Sequence, residues 1–111
     1  MRVDIDAIKA EICEKLKSLN PASVILFGSH AHGSAADDSD IDLYVITNDD
    51  YIPQSWAEKN QIYLQFARQL RSLRQRVPID LLVHTKKMNK KFVEMDSALS
   101  REIMQKGIRL L

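Results

Sequence analysis

Three short aliphatic runs constrain this chain more than any other feature: Val24-Ile25-Leu26-Phe27, the stretch DIDLYVIT from Asp40 to Thr47, and the stretch PIDLLVHT from Pro78 to Thr85. Each has strand length and is bounded by turn formers: Gly28-Ser29 closes the first, and the Asn48 to Gln54 loop with Pro53 closes the second. In the second run Ile41, Leu43 and Val45 fall on one face, and Asp40, Asp42 and Tyr44 on the other. Around the strands the periodicity changes to that of helices. Ile5, Ile8, Ile12, Leu16 and Leu19 recur at steps of three and four and predict an opening amphipathic helix, stopped by Asn20-Pro21. Tyr63, Phe66, Leu70, Leu73 and Val77 predict one long helix before Pro78. Two short helices follow the third strand, the second near Ser97 to Lys106 with Gly107 at its C-cap, and Ile108-Arg109-Leu110 can add a last edge strand.

The alternation of helix and strand predicts an α/β sandwich in which helices pack over a small sheet. With 111 residues, 45% of them hydrophobic, residues 1–111 fit one domain with a modest core. No repeat or interdomain linker interrupts them. Sixteen Lys and Arg against fifteen Asp and Glu argue against a protein that grips nucleic acid by bulk charge. Cys13, the only cysteine, can build neither a disulfide framework nor a thiolate zinc site within the chain, which suits a reducing, cytoplasmic setting. No apolar run approaches membrane-spanning length.

The chemistry concentrates in the carboxylates. Asp40 and Asp42, two apart in a strand, project from the same face and can meet one point in space. Asp80 interrupts a β-branched and leucine-rich strand, where an unpaired carboxylate is costly unless a cation compensates it. Oxygen donors with no His or Cys beside them suit Mg²⁺ or Mn²⁺ rather than zinc. Gly28-Ser29, at the end of a strand and the start of a short helix, offers free backbone N–H groups, close approach and a hydroxyl to a phosphate.

The string GSHAHGSAADDSDID, preceded by VILF and followed by LYVIT, resembles the Gly-Ser, spacer, Asp-x-Asp signature of polymerase-β-like nucleotidyltransferases. In size and layout the chain is similar to the minimal nucleotidyltransferases encoded beside HEPN-domain proteins, and the resemblance spans essentially all of it. It implies a small mixed sheet with helices packed over it. It also implies that Gly28 and Ser29 hold a nucleoside triphosphate, while Asp40, Asp42 and Asp80 ligate Mg²⁺ or Mn²⁺. Asp80 would further activate an acceptor hydroxyl. The activity implied is transfer of a nucleoside monophosphate, AMP from ATP, to a hydroxyl of a partner protein. That partner would be a HEPN-type, RNase-like toxin held in a hetero-oligomer. The chain departs from many relatives at His30 and His32, where arginines commonly stand, so fixed positive charge there is weakened. The rival reading is an antitoxin that only binds its partner. Transfer to a small molecule and DNA binding find less support, the first because no extra helical domain is present.

Other polar residues read more plainly. His30 and His32 lack a third nitrogen or sulfur ligand and are expected at the surface or near the site. His84 reads as a polar strand end. Arg68, Arg71, Arg74 and Arg76, like Lys86, Lys87, Lys90 and Lys91, read as solvated faces. Trp56, Tyr63 and Phe66 are expected in the core.

Overall fold

A computed structural model describes residues 4–33 and 40–111. Helix α1, Ile5–Leu16, starts where the Asp4 side chain accepts a hydrogen bond from the Ala7 N–H at 3.2 Å, and it buries Ile8, Ile12 and Leu16. A 3₁₀ turn, Lys17–Leu19, and the left-handed Asn20 end it as expected, directly before Pro21. Strand β1, Ser23–Phe27, pairs antiparallel with β2, Ile41–Ile46, with Leu26 opposite Leu43 and Phe27 opposite Asp42.

The chain then leaves β2 through a loop into α2, Trp56–Gln69. Ser55 caps that helix through its hydroxyl to the Glu58 N–H at 3.1 Å, and the Glu58 carboxylate reaches back to the Gln54 N–H at 2.9 Å. The helical region is not the single helix the periodicity predicts. It breaks at Leu70, whose ψ of 1° leaves the α-helical range, and resumes as the single turn α3, Arg71–Arg74. The break keeps Leu70, Leu73 and Val77 all buried against the sheet. Strand β3, Ile79–His84, then pairs parallel to β2, as a helical crossover requires. Helices α4, Lys86–Met95, and α5, Ala98–Lys106, follow, capped by the hydroxyls of Thr85 and Ser97. The edge strand β4, Ile108–Arg109, completes a mixed four-stranded sheet in the order β3-β2-β1-β4.

Alternation in the strands divides the core between the two faces. Val24, Leu26, Ile41, Leu43, Val45, Ile79 and Val83 meet Ile8, Ile12, Leu16, Ile62 and Phe66 of α1 and α2 on one face. On the other, Ile25, Tyr44 and Ile46 meet Ile103 of α5, with Phe92 of α4 and Leu82 alongside. Phe66 is buried and Tyr63 half-buried, but Trp56 is 78% exposed, which corrects its expected place in the core. It occupies the first position of α2, off the stripe that carries Ile62 and Phe66.

Gly107 does end α5, its N–H bonded to the Ile103 carbonyl at 3.0 Å, but in extended backbone rather than a left-handed turn. Close approach is what demands glycine there. A methyl group would collide with the Ile103 carbonyl oxygen and with the Ile25 side chain. Gly107→Ala is therefore expected to destabilise the fold by about 1–3 kcal/mol, read as a lowered urea midpoint with an unchanged slope.

Candidate active site

The parallel register of β2 and β3 sets Asp42 directly beside Asp80. Side chains alternate along each strand, so both carboxylates leave the same sheet face, the one that carries Tyr44 and His84 further along. Asp40 stands one residue before β2, exposed, and two before Asp42. The three predicted acidic residues thus gather at the N-terminal ends of two adjacent strands. Among the described residues no group of three His, Cys, Asp or Glu side chains stands ready to enclose a metal ion. The Asp42–Asp80 pair is the part of this candidate cluster that the strand register brings together.

The pair is electrostatically tense. The Asp42 carboxyl is held above its ordinary pKa, first by burial and then by the charges of Asp80 and Asp40, with a hydrogen bond to Asp80 adding to the rise. His30 acts in the opposite sense, through its charge. Like charges brought together at the mouth of a sheet are stabilised by a bound cation, and the donors are all hard carboxylate oxygens, a set that fits Mg²⁺ or Mn²⁺.

Gly28 and Ser29 meet this pair from β1. Gly28 follows the strand end with φ 76° and ψ −156°, a region open in practice only to glycine. A methyl group there would also strike the Oδ2 of Asp42, so the glycine backbone lies directly against the carboxylate. Ser29 opens a single 3₁₀ turn, Ser29–Ala31, that packs against β1 and β2. Residues 34–39, which contain the rest of the spacer and the Asp37-Asp38 pair, lie outside the described residues. His32 ends the turn and pairs with Glu102 of α5, Nε2 to Oε1 at 2.8 Å. That tie was not visible in the sequence, because nothing local announces a partner seventy positions away.

A second polar group on the same face was only half legible. Alternation places Tyr44 beside Asp42, and His84 was expected as a polar strand end. In the fold, the Tyr44 hydroxyl donates to Asn89 Oδ1 at 2.8 Å and lies 2.8 Å from His84 Nδ1. With its own proton given to Asn89, Tyr44 accepts from a protonated Nδ1. The His84 ring also meets Phe92 edge-on, with centroids 5.1 Å apart. Burial, with help from the Lys59 charge, lowers the His84 pKa to about 4. The unfolded chain takes up this proton near pH 6.5, so between those values unfolding binds a proton and stability falls as pH drops. Wild type is expected to lose about 1–2 kcal/mol from this group between pH 7 and pH 4.5, a figure reduced for its partial solvent access. Urea midpoints of His84→Gln should fall less over the same range.

An open hollow of about 740 Å³ lies at the opposite strand ends, lined by Tyr51, Ile52, Gln54, Glu58 and Lys87, and none of Asp40, Asp42 and Asp80 lines it. The acidic pair and the Gly-Ser turn lie at the N-terminal ends of β2 and β3, away from it.

Solved structures share this fold, two of them from toxin-antitoxin systems. One is a crystal structure of a toxin-antitoxin with AMP-PNP, 22% identical, with a TM-score of 0.61 over 93% of this chain and 72% of its own. The other is a toxin-antitoxin MntA-HpeT mutant, 19% identical, with a TM-score of 0.56 over 93% of this chain and 71% of its own. No curated protein matches. Residues 10–111, from within α1 to the last residue, match the family described as polymerase beta, nucleotidyltransferase, and the chain belongs to that family.

Proposed function

We propose that the chain transfers AMP from ATP to a hydroxyl of a partner protein, as the antitoxin of a toxin-antitoxin pair whose toxin is of HEPN type. The observation that carries this reading is the in-register Asp42–Asp80 pair lying against the Gly28 turn. The fold shared with toxin-antitoxin structures, one of them with AMP-PNP, supports the choice of partner and nucleotide.

In this reading the Gly28-Ser29 backbone and the Ser29 hydroxyl bind the outer phosphates. Asp40, Asp42 and Asp80 hold Mg²⁺ or Mn²⁺, which neutralises triphosphate charge and polarises the reacting phosphorus when bound. Asp80, the exposed member of the pair, also accepts the proton of the acceptor hydroxyl. The acceptor oxygen forms a bond to the α-phosphorus as the bond to the β-phosphate bridging oxygen breaks, and pyrophosphate leaves with that electron pair. Catalysis rests on positioning and charge neutralisation, with no covalent enzyme intermediate.

Intact mass spectrometry of a HEPN partner incubated with the chain, ATP and Mg²⁺ tests this. An AMP-sized mass increase is expected with wild type and none with Asp42→Ala. Neutralisation of the toxin that survives Asp42→Ala, without any adduct, would support a binding-only antitoxin. The engagement of His32 by Glu102, which ties that ring to a carboxylate rather than leaving it for a phosphate, favours that second reading.

A further inference from the structure

Strand β3 is an edge of the sheet. Its even residues face β2, as shown by the Thr47 N–H bonding the His84 carbonyl at 2.8 Å and the Ile41 N–H bonding that of Pro78 at 3.0 Å. Ile79, Leu81 and Val83 therefore turn their N–H and C=O groups outward, and among the described residues none of these groups has a partner. Beside this edge runs a groove formed with α2. Trp56, Lys59 and Tyr63 line it together with Leu81 and Val83; a second hollow shares Trp56 and Lys59 with it, and a third, which holds Lys87, shares Ile52 and Gln54 with the second. Trp56 is 78% exposed and holds a large apolar ring at the groove, where it does nothing for the core. Lys59 and Lys87 form no ion pair among the described residues, and Glu58, the one acid lining these hollows, gives a carboxylate oxygen to the Gln54 N–H, so the lysines leave the balance of lining charge positive. At the other end of the same strand stands Asp80.

We propose that an extended, acidic segment of the partner protein adds to the β3 edge, anchored on Trp56 and the two lysines, and so leads its acceptor hydroxyl to Asp80. Backbone pairing gives such a contact its affinity, and the flanking ring and charges give it its direction and preference. From Val83 to Asp80 is a run of about 10 Å at strand spacing, within reach of one short segment. The delivery part rests on the nucleotidyl-transfer reading above; the binding part does not.

The test uses the full chain and an acetylated, amidated heptapeptide, Glu-Val-Glu-Val-Val-Tyr-Glu, whose tyrosine leaves the strand by the face opposite its glutamates, as Asp80 leaves β3 by the face opposite the groove. Its counterparts carry lysine for every glutamate, or the same charge and tyrosine on a helix-forming alanine background. Trp56 is the only tryptophan, so its emission reports directly on the groove. The extended acidic peptide is expected to shift that emission to the blue and to slow amide exchange at Ile79, Leu81 and Val83. It should bind about tenfold more tightly than either counterpart. Leu81→Pro removes an outward N–H without breaking the ladder to β2 and should weaken binding about tenfold or more. Should that variant fail to fold, Trp56→Ala with Lys59→Glu, both at exposed positions, gives the same comparison by amide shifts. Equal binding of the lysine or helical peptide overturns the proposal. So does protection elsewhere than on β3, or a self-dimer that pairs through this edge. Binding is read without nucleotide: transfer that persists with no edge contact sinks only this inference, and edge contact with no transfer sinks only the reading beneath it.

Discussion

Asp42→Asn is expected to slow AMP transfer by about 10³-fold or more and, at the same time, to make the chain more stable. The two effects have one cause. In the folded chain Asp42 is partly buried and lies beside Asp80 and Asp40, so its carboxyl holds a proton more tightly than in the unfolded chain. A raised folded-state pKa means that the stability contributed by the protonated group is present below the ordinary carboxylate range and is lost as pH rises through the raised value. An amide keeps the shape and the hydrogen bond to Asp80 while removing the repulsion. Much of the repulsion is screened by water at this half-exposed site, so the gain is about 0.5–1 kcal/mol, or roughly 2–6 °C in Tm for a chain of this size. Single-turnover transfer and thermal unfolding at pH 7.5 measure the two sides. Added Mg²⁺ should narrow the difference, because it stabilises wild type more than the variant. A variant less stable than wild type would refute the account of Asp42 as a strained, function-serving carboxylate.

The local part of this site was legible because strands encode faces in their own residues. Ile41-Asp42-Leu43 and Ile79-Asp80-Leu81 each place an acid opposite two core side chains, so the face that each aspartate leaves by could be read from alternation alone. That the two acids are neighbours could not. Their register depends on how α2 and α3 carry the chain back over the sheet, which a resemblance suggested and the fold supplies. The misread features share that origin. Trp56 is apolar and sits in a helix, but its rotation relative to Ile62 and Phe66 leaves it in solvent. Leu70 kept its predicted burial while its backbone broke the helix, because the sheet surface, and not the helical period, decides where Leu73 and Val77 go. Tyr44, His84 and Asn89 come from three elements, and Glu102 meets His32 across most of the chain. Such pairs have no local signature.

Gly28→Ala should lower both activity and stability, in contrast to Asp42→Asn. At φ 76° and ψ −156° any side chain strains the backbone, which costs about 1–3 kcal/mol by itself. The added methyl also meets the Asp42 Oδ2. Either the carboxylate swings away from Asp80 or the Ser29 turn lifts off the strand ends, and each movement separates the Gly28-Ser29 backbone, the proposed phosphate cradle, from the acidic pair. Transfer is expected to fall about 100-fold or more, because a misplacement of about 1 Å is enough for such a loss. The two costs can be separated with Asp42→Ala. That change removes the struck carboxylate and leaves the Asp42 Cβ position 3.6 Å from the new methyl, an ordinary contact. The double variant should therefore be less destabilised than the sum of the two single variants, by about 1 kcal/mol, with the backbone strain remaining. Strict additivity in urea unfolding would mean that the glycine serves only its own dihedral angles. A shortfall would mean that Gly28 is glycine so that Asp42 can lie against it.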